Sequence, residues 1–227
     1  MAKRVSRSLL DPLFMPWIKS FYRALKIPAA FPPEGIIAVG HTLAMIAAFG
    51  FAWAPFHWWG GLLVALGVAG NHIADCMDGT HARTTDQCRN GGELLDHFVD
   101  PLSFSYWLCG WAVSVEQLGM GMASIICLYA TAVLTNIKAK MIGEFALATF
   151  GPTEFKSLLV LYGLIQSGLC LVNGPTAMNR HLAFYAFSAL LVAGLLQLVL
   201  GLIKAVREVN AFGEAPDTTE WETTRGE

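Results

Sequence analysis

Charge is what this 227-residue chain has least of: 14% of it is charged, against about a quarter in soluble domains, while 55% is hydrophobic. With a mean hydropathy of +0.50, that balance excludes an ordinary water-soluble domain and points to a membrane. No polar segment is long enough to fold by itself outside the apolar stretches. The 15 basic residues form no long run of one sign and the net charge is −2, so a nucleic-acid partner is not expected and lipids are. Cysteine is sparse and odd in number: Cys76, Cys88, Cys109, Cys127 and Cys170. Four of the five sit in apolar runs as small hydrophobes, so no disulfide framework is expected. A cleavable leader is not expected either, because Asp11, Pro12 and Pro16 interrupt the apolar run that would have to follow Lys3, Arg4 and Arg7. With no import or retention signal, a bacterial inner membrane is the expected location.

What is present is a series of apolar stretches near the roughly 20 residues that a helix needs to cross a bilayer. Six are readable: 35–56, 58–74, 94–115, 117–137, 157–173 and 182–203. The cations support this count, since they collect in cytoplasmic loops. Lys3, Arg4, Arg7, Lys19, Arg23 and Lys26 precede the first stretch; Arg83 and Arg89 follow the second. Lys138, Lys140 and Lys156 lie between the fourth and fifth, and Lys204, Arg207 and Arg225 follow the sixth. Only Arg180 falls on the other side. The expected architecture is an all-α integral membrane protein with six transmembrane helices and both termini cytoplasmic.

Ahead of the first span, Leu9, Leu10, Leu13, Phe14, Trp17, Ile18, Phe21, Tyr22 and Leu25 recur at helical spacing, with Lys19, Arg23 and Lys26 elsewhere around the helix. This pattern predicts an amphipathic interfacial helix, or one packed on the protein's own cytoplasmic face. Residues 1–33 form that helix and its linker, 34–207 the membrane unit, and 208–227 a polar tail that reads as disordered from Glu214 onward.

Ionisable groups at membrane depth are costly and are kept for use. One segment, DCMDGTHARTTDQCRNGGELLDHFVD, holds several. Asp75 and Asp78 are three residues apart and Asp96 and Asp100 four apart, so each pair shares a helix face. Counting inward from Trp58, Asp75 lies about 25 Å deep, at the cytoplasmic boundary. The polar turn 84–91 brings the next helix back in the same layer, so the four carboxylates can converge. Unscreened carboxylates at close range repel, and divalent cations with a taste for hard oxygen ligands remove the difficulty. Mg²⁺, Mn²⁺ or Ca²⁺ would suit, two ions could share the four groups, and with Mg²⁺ the constellation points to phosphoryl chemistry. Gly79, Ala82 and Gly92 form a small-residue surface beside them, open to a substrate or to close helix packing, and Arg83 offers a guanidinium for a phosphate. His97, next to Asp96, is a candidate base by its ordinary pKa, although it points about 100° away from Asp96.

The pattern DxxDGxxAR, eight residues, then GxxxDxxxD is filled at every fixed position by Asp75, Asp78, Gly79, Ala82, Arg83, Gly92, Asp96 and Asp100. It resembles the signature of the CDP-alcohol phosphotransferases, as does the plan of six spans after an interfacial helix. The resemblance implies transfer of a substituted phosphate from a CDP-linked donor to an alcohol, with release of CMP. It implies metal ligation by Asp75, Asp78 and Asp96, and a double role for Asp100 as ligand and general base. Gly79, Ala82 and Gly92 would line the cytidine site, Arg83 would hold donor phosphate, and the protein would be a homodimer.

The wording GELLDHFVD resembles choline and ethanolamine phosphotransferases, and Gly151–Phe155 is similar to a Thr-Glu segment there, so that Thr153 and Glu154 would face a cationic head group. The same residues also read as an ordinary helix start. Those relatives are longer, and six spans suit enzymes that use CDP-diacylglycerol, so either donor type is expected. A Pro-Asn-x-x-Thr motif common in the family before the first span reads Pro33, Glu34 and Ile37 here. Lys138 and Lys140 would contact substrate phosphate or serve as positive-inside anchors. The rival reading, an ion or proton transporter, would need acids spread along a path or an inverted repeat; the acids form one cluster.

Overall fold

The computed structural model describes residues 3–5, 8–146, 151–213, 215 and 218. In chain order its elements are β1 (Lys3–Val5), α1 (Asp11–Leu25), α2 (Pro33–Trp53), α3 (Trp58–Thr84), α4 (Asn90–Ser114), α5 (Leu118–Ile142), β2 (Glu144–Ala146), α6 (Pro152–Asn173) and α7 (Ala177–Phe212). The chain is a helical integral membrane protein: α2, α3, α5, α6 and α7 are each long and apolar enough to cross a bilayer. α4 is equally long at 25 residues, but Glu93, Asp96 and Asp100 occupy its first half.

Local chemistry sets the helix ends. Prolines at the first positions of α2 and α6 supply a fixed φ where no N–H is needed, and Gly143, at φ 72°, closes α5 in the left-handed conformation. Several helices outrun their apolar stretches, because a helix continues into polar sequence where its backbone finds partners: α3 runs on to Thr84 and α7 to Phe212. The all-α expectation needs one addition, a parallel ladder that sets Lys3 opposite Glu144 and ties the N-terminal segment to the α5–α6 connection. The tail expected from Glu214 lies almost wholly outside the described residues.

The core is aromatic. Trp111 of α4 stacks on Phe51 of α2 and Phe187 of α7 and lies 4.2 Å, centroid to centroid, from Tyr162 of α6. Buried indoles need acceptors. Trp107 donates to the Ala44 carbonyl at 3.0 Å and Trp111 to the Ala183 carbonyl at 3.1 Å. Outward faces, such as Val192, Leu196, Val199 and Leu200 on α7, remain exposed and apolar, as helix surfaces toward lipid require.

α1 packs on the bundle by one face, the second of the two expectations for it. Ile18 is buried against α3, and the Tyr22 hydroxyl donates to Nδ1 of His81 at 2.8 Å. Nε2 of that fully buried ring then donates to the Phe31 carbonyl, also at 2.8 Å. Leu13, Trp17, Phe21 and Leu25 face away from the protein, with Trp17 75% exposed. One face of α1 is thus bolted to the bundle while another is apolar and exposed.

α3 and α6 run antiparallel and touch backbone to backbone. A Cβ on Gly163 would lie 2.6 Å from the Gly61 carbonyl oxygen and 2.8 Å from the Ala65 nitrogen, so only glycine permits this approach. Gly168, on the same helix, has open space around it. Gly163→Ala is therefore expected to destabilise the protein by about 1–3 kcal/mol through overpacking, while Gly168→Ala leaves stability unchanged or slightly raised. Thermal unfolding of both variants in detergent checks this.

Candidate active site

The carboxylates come from two helices and are sorted by helical register. Asp75 and Asp78 lie near the end of α3, Asp96 and Asp100 in the first half of α4, and all four line one pocket with Asn71, Gly40, Ile37 and Val99. One oxygen each from Asp75, Asp96 and Asp100 fall within 4.8 Å of one another, close enough to share an ion. Asp78, only 5% exposed, completes the lining and accepts a hydrogen bond from the Gly79 N–H.

Asn71, in that lining, and Lys156, paired with two of its carboxylates, were not singled out from the sequence. Asn71 is 3% exposed; its amide nitrogen donates to the Gly40 carbonyl at 3.1 Å, while its Oδ1 is buried without a protein partner. A buried orphan acceptor beside four carboxylates is an environment suited to a cation. The donor set is oxygen throughout, which fits Mg²⁺ or Mn²⁺ and no soft metal. The second residue is Lys156. Sequence reading placed it in a cytoplasmic loop, but it lies in the second turn of α6, 1% exposed. Its Nζ donates to Asp75 Oδ2 at 2.7 Å and stands 3.5 Å from Asp100 Oδ1. Helical side chains lean toward the N-terminus of their helix, so Lys156, on a helix antiparallel to α3, reaches down toward Asp75. A signal existed: Lys156, Leu159, Gly163, Gln166 and Cys170 share the buried face of α6. Asn71 likewise precedes Asp75 by one helical turn.

The remaining expected site residues are placed as follows. Gly79, Ala82 and Arg83 occupy the last turns of α3 and Gly92 the first turn of α4, beyond the aspartates. The Arg83 guanidinium folds over Gly79, where a Cβ would lie 3.2 Å from it. Near Gly92, Arg89 and Glu34 form a salt bridge of 2.7 Å. His97 does not line the acidic pocket; its Nε2 stands 3.9 Å from Oε1 of Glu93, one turn back. Lys138 is ion-paired with Glu208 and Lys140 is exposed at the end of α5, both apart from the acidic pocket. Glu154 is occupied: Oε1 accepts from the Ser8 hydroxyl at 2.6 Å and from the Leu9 and Leu10 N–H groups at 2.8 and 3.1 Å, and Oε2 from the Gly151 N–H at 2.9 Å. Thr153 donates to Asp11 at 2.5 Å. Glu154 thus caps α6 and anchors the chain entering α1, as the helix-start reading has it.

Fold and site together define a membrane-embedded protein with a hard-oxygen acidic centre at one end of its helices. Residues 36–206 match the CDP-alcohol phosphatidyltransferase family model, and the chain belongs to that family. It is similar to cholinephosphotransferase 1 of Bos taurus, 30% identical over 175 residues, covering 63% of this chain and 42% of that protein. To choline/ethanolaminephosphotransferase 1 of Saccharomyces cerevisiae it is 32% identical over 110 residues, covering 46% of this chain and 27% of that protein. The chain thus spans less than half the length of these curated relatives.

Because the charged Glu154 carboxylate accepts from three backbone N–H groups, Glu154→Ala is expected to cost about 2 kcal/mol. It should also expose the segment before α1 to protease. Thermal unfolding combined with limited proteolysis reads both effects.

Proposed function

We propose that this protein transfers a substituted phosphate from a CDP-linked donor to an alcohol, releasing CMP, at divalent ions held by Asp75, Asp78, Asp96 and Asp100. The convergence of three carboxylates from α3 and α4 within 4.8 Å carries this reading. Mg²⁺ or Mn²⁺, two ions by family resemblance, would neutralise the donor pyrophosphate and stabilise the leaving CMP. The chain's own groups do the rest. Arg83 holds donor phosphate, and Gly79, Ala82 and Gly92 leave room for the cytidine. Asp100 has Oδ1 turned toward Lys156, so its other oxygen takes the proton as the acceptor hydroxyl bonds to phosphorus and the phosphorus–oxygen bond to CMP breaks. Asp100 is preferred to His97 as this base, because Asp100 lines the acidic pocket and His97 stands beside Glu93.

The likeness to choline and ethanolamine phosphotransferases favours a CDP-amino alcohol as donor and a lipid alcohol as acceptor, with CDP-diacylglycerol as the competing donor. Glu154, Lys138 and Lys140 are left out of the substrate contacts, since the first two have other partners and none lines the pocket. An ion pathway fits poorly with acids confined to one end and bound in part by an internal lysine.

α4 is the sixth span in this reading: at 25 residues it is about 37 Å long, and its tryptophans reach the core between α2, α6 and α7. Six spans and the cation distribution support cytoplasmic termini, 34–207 is the catalytic unit in this reading, and the family resemblance supports a homodimer. The relatives named above are eukaryotic, so a bacterial inner membrane rests on the sequence alone.

With Mg²⁺ or Mn²⁺ and a panel of CDP-choline, CDP-ethanolamine and CDP-diacylglycerol with matched acceptors, the purified protein is expected to release CMP with at least one pair. Chelation abolishes the reaction, and Asp96→Asn and Asp100→Asn each lower it by a factor on the order of 10²–10³. Undiminished CMP release in both variants would refute the assignment.

A further inference from the structure

Lys156 is a positive charge sealed inside the protein. Its ammonium touches a carboxylate of α3 and one of α4, and it lies 5.4 Å from the centre of the Phe104 ring, so it is walled by an aromatic face on a third side. An ammonium held so far from water survives only by excellent pairing, and removing one partner of such a pair strands the other charge. Each bonded carboxylate gives it one oxygen: Oδ2 of Asp75 and Oδ1 of Asp100. The second oxygen of each is left for another partner. The same two aspartates, with Asp96, form the group able to hold an ion.

We propose that Lys156 is the resident counter-ion of the acidic centre, a positioning residue that keeps Asp75 and Asp100 assembled whenever divalent ions are away, at the cost of weaker binding of those ions. The inference rests on the metal ligation proposed above and adds a residue that the family motif does not contain. The physical reasoning is direct. Carboxylates crowded into a pocket of low effective dielectric repel one another, and without metal the nearest remedy is an internal cation. With metal held by the same carboxylates, that cation would stand beside it and repel it. Two other roles for Lys156 give different signatures. A purely structural ion pair would change stability and leave metal affinity alone; a ligand of donor phosphate would raise the KM for the donor and leave metal affinity alone.

The test uses the full chain in lipid nanodiscs, with Lys156→Met to remove the charge at similar length and Lys156→Gln as a polar second variant. Mn²⁺ binding is read from the electron paramagnetic resonance signal of the free ion, and thermal unfolding is followed in EDTA and in saturating Mn²⁺. Both variants are expected to bind Mn²⁺ about tenfold or more tightly than the parent chain. Their melting temperature should also rise more on adding Mn²⁺ than that of the parent does. A variant that unfolds in EDTA and recovers in Mn²⁺ gives the same answer. Unchanged or weaker Mn²⁺ affinity overturns the proposal, as does a Mn²⁺-induced rise no larger than the parent's. Failure of both variants to fold even with Mn²⁺ also overturns it, since a counter-ion replaceable by metal would be rescued by metal. None of these readouts involves a CDP donor, so a protein that behaves as expected here yet releases no CMP would refute the enzymatic reading and leave this one standing.

Discussion

Repulsion among carboxylates is the constraint around which this protein is arranged. Four acidic groups drawn into one pocket at a membrane boundary would disperse in water, and in a medium of lower dielectric they must be neutralised or separated. Here the helices hold them together, a buried ammonium meets two of them, and Asn71, whose amide oxygen has no protein partner, lines the same pocket. The rest of the bundle serves to keep those groups from moving apart. The tryptophan and tyrosine packing between α2, α4, α6 and α7 supplies the buried apolar contact, so the charged end does not have to hold the fold alone.

How much of this was legible depended on whether a feature was local. The spacing of Asp75, Asp78, Asp96 and Asp100 gives register along two helices, and a turn of a few residues between them leaves little freedom, so their meeting could be foreseen. Glu154 shows the opposite case. Its position three residues after Gly151 marks a helix start, which the structure bears out, but the Ser8, Leu9 and Leu10 donors are more than 140 residues away. Lys156 stayed hidden for a related reason. On composition a lysine beside an apolar run is a loop cation, and only the buried register of Leu159, Gly163 and Gln166 hints that it faces inward. The three-residue strands β1 and β2 carry no periodicity and had no signal to read. Helix ends were missed wherever the helix outlasted its apolar stretch, as in α3 and α7.

α1 resolves a choice that hydrophobic spacing alone leaves open. Periodicity reports that a helix has an apolar stripe; it does not report whether protein or lipid covers it. Ile18 and Tyr22 answer for one face, through contact with α3, while Trp17 and its neighbours stay exposed.

The glycine contact between α3 and α6 has a geometric corollary. From Gly61 to Asp75 the helix rises roughly 21 Å, and from Gly163 back to Lys156 roughly 10 Å. Because the two backbones meet there, the angle between α3 and α6 sets the reach that Lys156 needs to stay 2.7 Å from Asp75. A substitution that pries the glycines apart would therefore be felt at the buried ion pair, turns away from the contact itself.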